Sequence, residues 1–525
     1  MIMEKRVRLR FAPSPTGGLH MGGVRTALFS YLYAKKHGGD FILRIEDTDQ
    51  TRYVKGAEEY IIAALKWCGI EPNEGVGFGD GKFAPYRQSE RKVLGIYAKY
   101  AKRLIDSGNA YYAFDTPEEI DAMRKRLEAA KVVAPQYNSV TRQNMRNSLT
   151  LSEDEVKKLL DAGTPHVVRL KVPRNEEIRF HDIIRGWVVV NSTQVDDKVL
   201  LKSDGMPTYH LAHIVDDIEM EVSHCVRAEE WLPSAPAHIL IYKYLGLEDK
   251  MPLLAHLPLI LKTDGNGKLS KRDKSGVPMF PLNWHDERTG ETYQGYKEMG
   301  FFPEAFINML AMLGWNPGTT QEIFSLDELV QAFSFERVNK SGAKFDPEKT
   351  KWFNQQYLRA KSDSELATLF TPLLEENLKG TQESRHKNQD FVEGVCKLVK
   401  EKAHFVSEFW ANGNYFFIAP TTYDADVIKK RWNNQSAAFT KELAGAFKNL
   451  NSFTAAETEA TFKTIAEKLG IAPGQVMQLF RVCLSGVGGG PMLFEMVELL
   501  GKEEVVKRLE VAASSLNPFS KGEGA

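Results

Sequence analysis

Cysteine is scarce in this chain of 525 residues: Cys68, Cys225, Cys396 and Cys483 stand far apart, without metal-ligand spacing or the density of a disulfide framework. That excludes a disulfide-stapled scaffold and suits a reducing compartment, so a cytoplasmic protein is expected. Met1 to Arg10 contains no apolar signal core. Long hydrophobic runs are missing too. The stretch from Leu253 to Leu261 is broken by His256 and Pro258 and falls far short of a membrane span. A dominant charge is also absent. The formal net charge is -1, so no uniform basic field announces a nucleic-acid partner, and local patches must bind RNA if RNA binds. There is no internal repeat and no Ser-His-Asp set. With 43% hydrophobic and 26% charged residues the composition is globular. The length calls for about three to five domains.

What is present is organised around Phe11-Ala12-Pro13-Ser14-Pro15-Thr16-Gly17-Gly18-Leu19-His20-Met21-Gly22-Gly23. Before it, Arg6 to Phe11 alternates cation and apolar residue, which predicts a strand with one buried face. After it, Val24, Ala27, Leu28, Tyr31 and Leu32 recur at helical spacing until Gly38-Gly39. The segment therefore reads as strand, loop, helix. Prolines stiffen the loop, and glycines admit a ligand to the backbone. Free N–H groups at Gly22-Gly23 would attract phosphate, with His20 beside it. A tight turn with no ligand is the alternative.

Phe41 to Ile45 predicts a short buried strand, and Glu46-Asp47-Thr48-Asp49 follows it, either at the ligand edge of a doubly wound sheet or as a helix cap. A second helix is expected over Ala57 to Trp67, then a Gly-rich loop from Gly75 to Gly81, then one longer helix from Arg87 through Tyr97 and Leu104. From about Ala110 helical pieces, Pro117 to Ala130 and Ser152 to Ala162, precede alternating stretches at His166 to Val172 and Trp187 to Val190. That texture predicts an α+β insertion. In Ser203 to His213, the pair His210 and His213 could share a metal or simply pack. Arg227 reads as following a strand, where its planar fork suits a carboxylate or forms half of a surface salt bridge. Lys262 to Arg272 is a Gly-Asn-Gly turn studded with cations: a solvated loop or a site. Beyond Phe301 the patterns are helical, and Gly486 to Gly490 reads as a helix–helix loop.

The first segment resembles the His-Ile-Gly-His signature of class I aminoacyl-tRNA synthetases, and its Pro-Ser-Pro-Thr-Gly is typical of the glutamyl group. Gly23 replaces the last signature histidine. Lys268-Leu269-Ser270-Lys271-Arg272 is similar to the glutamyl version of Lys-Met-Ser-Lys-Ser. Arg44 to Asp49, Pro207 to Leu211, Arg227 to Trp231, Lys351 to Leu358 and Gln478 to Gly486 extend the likeness to bacterial-type glutamyl-tRNA synthetases over nearly the whole chain.

The resemblance implies an α/β fold: a Rossmann-like catalytic domain (1–109 and 203–260) split by an acceptor-end-binding insertion (110–202). A stem-contact domain with the Lys-Leu-Ser-Lys-Arg loop (261–350) and helical anticodon-binding domains (351–525) follow. It implies a ligase that joins L-glutamate to tRNA-Glu through glutamyl-adenylate, with ATP and Mg²⁺, the first step generally needing bound tRNA. His20 and Lys271 would be catalytic. Gly17, His20, Gly22, Gly23, Lys268, Ser270, Lys271 and Arg272 would bind ATP. Arg10, Ser14, Glu46, Tyr209 and Arg227 would bind glutamate, with Glu46 on its ammonium group. Arg481, Leu493 and Phe494 would meet the anticodon. Some relatives carry a zinc knuckle where this chain reads Tyr111-Tyr112-Ala113-Phe114, so no structural zinc is expected. A monomer without membrane attachment is expected. The alternatives are a glutaminyl-tRNA synthetase, whose second half is a β-barrel, a nucleotidyltransferase that does not act on tRNA, and a binding-only paralogue.

Overall fold

The computed structural model describes residues 6–270, 276, 278–380 and 388–516. They divide into two compact units, with the boundary between Thr350 and Lys351.

The first unit is built on a seven-stranded sheet. Its strands are β1 (Arg8–Phe11), β2 (Asp40–Leu43), β3 (Glu74–Gly75), β6 (Glu177–Asp182), β7 (Gly186–Asn191), β9 (His224–Ala228) and β10 (Leu253–Leu257), in the order β3-β2-β1-β9-β10-β6-β7. All pairs are parallel except β6–β7. The chain leaves β1 toward β2 on one side and resumes at β9 on the other. The topological switch point therefore lies between β1 and β9, and the crevice beyond their carboxyl ends is where such sheets bind ligands. A separate three-stranded sheet joins β4 (Ala110–Ala113), β5 (Val167–Leu170) and β8 (Val199–Leu201). The 110–202 segment thus contributes both a sheet of its own and two strands, β6 and β7, to the edge of the large one.

β1 departs from the one-faced strand its alternation predicts. All four of its residues are buried, Arg8 and Arg10 included. A central parallel strand is covered on both faces, so its cations must find carboxylates inside. Arg8 pairs with Asp40 and Glu74, and Arg10 with Asp217.

Helix α1 (Met21–Lys36) follows β1 and buries Val24, Ala27, Leu28 and Leu32. Helix α2 (Ala57–Trp67) has the predicted span. The long helix expected from Arg87 is two: α3 (Gln88–Val93) and α4 (Ile96–Asp106). Gly95 between them is left-handed at φ +70°, which breaks the helix at little cost for a residue without Cβ. The insertion carries α5 (Pro117–Ala129) and α6 (Glu153–Asp161), each opened by a capping box, Thr116/Glu119 and Ser152/Glu155. Helices α7 (Tyr209–Glu219) and α8 (Ala235–Leu245) flank β9 in sequence, and their apolar faces join those of α4, β5 and β8 in one core containing Leu104, Leu170, Leu200, Leu211, Ile214 and Ile241.

In the second unit, from Lys351, the described residues are helical with connecting loops and contain no strand. Phe370, Phe409 and Phe417 form one aromatic cluster there, and Phe439, Phe462, Phe480 and Phe494 another. No helix among the described residues is long and apolar enough to cross a membrane.

Candidate functional site

A cleft of about 350 Å³ opens at the switch point. It is lined by the loop after β1, by the start of α1, by the segment after β2 and by the end of β9 with the following Glu230 and Trp231. Arg10, Ser14, His20, Gly22, Gly23, Glu46, Tyr209, Arg227 and Lys268 all line it. Residues spread over 259 positions of sequence converge because β1, β2 and β9 are neighbours in the sheet. Gly17 sits next to the lining residue Thr16 in the same loop.

His20 is the N-cap of α1. Its Nδ1 accepts the Gly22 N–H at 3.0 Å, and its carbonyl accepts the Gly23 N–H at 2.9 Å. The Met21 N–H goes to the Met279 carbonyl at 2.8 Å. The free N–H groups expected at this helix start are therefore engaged, because the signature histidine caps its own helix. What remains for an anion is the helix dipole and the other ring nitrogen. Since Nδ1 accepts, Nε2 carries the proton and can donate. Crowding by the surrounding protein, then the Lys268 cation, hold His20 below the ordinary imidazole range although its ring is open to the cleft, so it is neutral at pH 7. Gly22 gives the ring its room: a Cβ there would stand 2.9 Å from His20 Cε1.

Arg227 lies within β9 rather than after it and is 5% exposed. Its Nε donates to His256 Nε2 at 2.8 Å and its Nη1 to the Tyr209 hydroxyl at 2.9 Å, with His238 Nδ1 at 3.2 Å. Burial lowers the pKa of both histidines, so these partners are neutral. Nη2 is buried with no partner. A buried guanidinium with neutral neighbours and a vacant donor is a receptor for an anion. The Tyr209 hydroxyl accepts from Arg227 and keeps its own proton to donate; its ring stacks on His213 and packs on Trp231.

Arg10 is different. Its guanidinium reaches Asp217 through Nε (3.1 Å) and Nη2 (3.3 Å), so it enters the cleft with its charge already balanced. Glu46 accepts from Arg44 at 3.0 Å, and burial raises its pKa despite that arginine. It offers a carboxylate to a cation. Lys268 holds Glu230 at 2.7 Å, both partly exposed. Ser270 is exposed. Lys271 and Arg272 lie outside the described residues.

The two histidines that could share a metal do not. His210 bonds His238 at 3.1 Å, whereas His213 faces Asp217 at 3.2 Å. His213, Asp217 and Cys225 do gather within 4.8 Å. Arg10 Nη2 contacts all three, at 3.2, 3.3 and 3.2 Å, so a guanidinium fills the place an ion would take.

In the second unit, Arg481 is on helix Pro473–Ser485 and its Nη1 is buried without a partner, 2.8 Å from where a Cβ of Gly490 would be. Leu493 and Phe494 open helix Leu493–Leu500. Leu493 is buried, and the Phe494 ring packs edge-on against Phe462 at 5.5 Å. Leu493 is therefore turned away from any base, while Phe494 is half-buried. Leu493, Met496, Val497 and Leu500 fall on one helical face, and that face is core. Met492 and Val487 are the exposed apolar neighbours.

His256 and His238 were not assigned to the site from the sequence. The signal for His256 was its place as a lone polar residue in an otherwise apolar buried strand, which requires a buried partner.

Residues 6–352 match the family model of the catalytic domain of class I tRNA synthetases (E and Q), and residues 365–513 match an anticodon binding domain model. Among curated proteins, the glutamate–tRNA ligase of Cytophaga hutchinsonii is 54% identical over 521 residues, covering 98% of each chain. That of Flavobacterium psychrophilum is also 54% identical, covering 98% of this chain and all of the other. A crystal structure of a glutamate tRNA ligase from Elizabethkingia meningosepticum, in complex with its amino acid, superposes with a TM-score of 0.90 at 48% identity, covering 98% of this chain and 100% of that one. With the cleft at the switch point, His20 at the helix start and the helical second unit, these matches show that the chain belongs to the class I tRNA synthetases of the glutamyl and glutaminyl (E and Q) family.

Proposed function

We propose that this protein joins L-glutamate to tRNA-Glu, using ATP and forming glutamyl-adenylate on the way. The observation that carries the choice of glutamate is Arg227: a buried guanidinium that lines the cleft, with only neutral hydrogen-bond partners and none at Nη2. A carboxylate satisfies it in charge and geometry. An uncharged amide does not. The helical second unit and the names of the relatives point the same way, away from the β-barrel half of a glutaminyl enzyme.

The residues then divide the work. Arg227 and Tyr209 hold the substrate's side-chain carboxylate, with Arg10 as the wall behind them. Glu46 receives the α-ammonium. The α-carboxylate is left to attack the α-phosphorus of ATP, which releases pyrophosphate. Negative charge builds on the phosphoryl oxygens, and preorganised donors at that place lower the barrier. His20 Nε2–H, the dipole of α1, Lys268 and Lys271 supply them. Mg²⁺ arrives with ATP as part of the substrate. The tRNA's terminal ribose hydroxyl takes the glutamyl group in the second step. Arg481, whose Nη1 has no hydrogen-bond partner, offers the second unit's cation to the tRNA.

The reading is tested by ATP–pyrophosphate exchange with tRNA-Glu and glutamate. Lys271→Ala is expected to slow adenylate formation by about 2.7–4 kcal/mol of transition-state stabilisation while glutamate binding changes little. Near-wild-type exchange would remove Lys271 from the mechanism. Gly22→Ala is expected to keep the fold, since alanine favours a helix. Its methyl displaces the His20 ring, and adenylate formation should fall by about a hundredfold, the effect of an ångström of misplacement. Unchanged turnover would show that the position of His20 is not used.

A further inference from the structure

Behind Arg227 stands a chain of side chains drawn from three adjacent strands. Arg227 on β9 donates through Nε to His256 on β10, its register partner across the parallel pair. His256 Nδ1 meets Asp182 Oδ2, at the end of β6, at 2.6 Å. A guanidinium has donors only, so His256 Nε2 must present its lone pair. The imidazole proton is then on Nδ1 and is donated to Asp182. Asp182 itself is fixed from the other side. Its Oδ2 also accepts the His256 N–H at 3.0 Å, and its Oδ1 accepts the N–H groups of Ile184 and Arg185 at 2.9 and 2.8 Å. Asp182 and His256 are both fully buried. Neither lines the cleft as Arg227 does.

The chain ends on the one group in the cleft whose alignment decides which substrate fits. With Nε held by His256 and Nη1 by Tyr209 and His238, Nη2 is left without a partner. Among the described residues no carboxylate bonds Arg227 directly, so Asp182 reaches it only through the imidazole.

We propose that Asp182 and His256 are positioning residues for glutamate recognition: Asp182 fixes His256 as the Nδ1–H tautomer, and that tautomer holds the Arg227 fork toward the substrate's side-chain carboxylate. This inference rests on the function proposed above. Asp182 thus lets a residue of the 110–202 segment act on amino-acid choice. An asparagine at 182 tests the tautomer directly. Its Oδ1 would stay on the Ile184 and Arg185 N–H groups, which turns its NH₂ toward both His256 Nδ1 and the His256 backbone N–H, and of these only Nδ1 can change to an acceptor. The imidazole must then accept there and carry its proton on Nε2, donor against donor with Arg227 Nε. The same logic makes an aspartate-to-asparagine change in a catalytic triad impose the wrong tautomer.

The experiment is tRNA-dependent ATP–pyrophosphate exchange by the full-length protein, varying glutamate, glutamine and ATP separately. Asp182→Asn is expected to raise the glutamate KM by about ten- to a hundredfold, the effect of losing a hydrogen bond to a charged group. It should leave the ATP KM and the rate at saturating glutamate near wild type and narrow the gap between glutamate and glutamine. His256→Gln, whose Oε1 can replace the Nε2 acceptor, should retain more glutamate affinity than His256→Leu. A glutamate KM unchanged in Asp182→Asn would overturn the relay. So would a loss in which glutamate KM, ATP KM and rate worsen together, the mark of a merely structural role. If His256→Gln and His256→Leu were equally impaired, the acceptor would not be what matters and the relay would again fall. A wild-type protein inactive with glutamate would instead overturn the function on which the relay rests.

Discussion

Replacing Arg227 by alanine is expected to raise the KM for glutamate steeply and to bring glutamate and glutamine closer together as substrates. Wild-type Arg227 presents a donor-only fork. Glutamate's carboxylate accepts both prongs, whereas glutamine's amide turns its NH₂ toward one of them. Bound glutamine therefore leaves a buried cation partly unpaired, at a cost of about 3–5 kcal/mol. At 1.36 kcal/mol per tenfold, that is on the order of a hundred- to several-thousand-fold in specificity. Nη2 has no partner and Tyr209, His238 and His256 are neutral, so no hydrogen-bond partner of Arg227 among the described residues balances its charge. Arg10 is tied to Asp217 through Nε and Nη2, but its Nη1 has only the Val226 carbonyl at 3.4 Å and can share the task, so Arg227→Ala need not erase discrimination. The check is kcat/KM for each amino acid in tRNA-dependent exchange. An unchanged glutamate/glutamine ratio in Arg227→Ala would show that the cleft reads its substrate through other residues.

Removing Asp217 is expected to destabilise the first unit by about 3–5 kcal/mol, the cost of leaving buried charge without its partner. Asp217 is fully buried and accepts from Arg10 at 3.1 Å and Arg44 at 2.7 Å, with His213 at 3.2 Å. Burial by itself would raise its carboxyl; Arg10, Arg44 and His213 overcome that and hold it well below the usual range. The sign of the pH effect follows. A carboxyl depressed in the folded state stabilises the fold above its unfolded value of about 3.9, and that stability is lost as pH falls toward the folded value. Asp217→Ala should thus be weaker at neutral pH and lose less than wild type on acidification below about pH 4. Urea unfolding at pH 7 and pH 3.5 measures both. A loss at pH 7 smaller than about 1 kcal/mol, as for an exposed pair, would show that the two arginines are balanced elsewhere.

The parts of this site that were legible in sequence are local. Strand, loop and helix around His20 follow from alternation, proline and a 3.6-residue period within one continuous stretch, and α2 was readable to its ends for the same reason. For Arg227 the residues alone left a carboxylate receptor and a surface salt bridge open, and its burial within β9 removes the second. What stayed hidden depends on register or burial. Whether Arg10 faces water or carboxylate is decided by β1 lying between β2 and β9, not by the alternation of its own residues. The His20–Gly22 bond hid because a histidine cap is not among the usual capping residues. Asp182 and His256 are 74 positions apart and meet, with His256 on Arg227, only because β6, β10 and β9 are neighbours. That Leu493 turns into the core could not be read locally, because the core face of its helix is defined by partners elsewhere in the second unit.

Aminoacylation with purified components bears most directly on the whole account. The protein, ATP–Mg²⁺, labelled glutamate and purified tRNA-Glu should yield glutamyl-tRNA, with adenylate formation from glutamate appearing when the tRNA is present and with glutamine a poor substitute. Charging of glutamine in preference to glutamate, or no charging of tRNA-Glu at all, would contradict it.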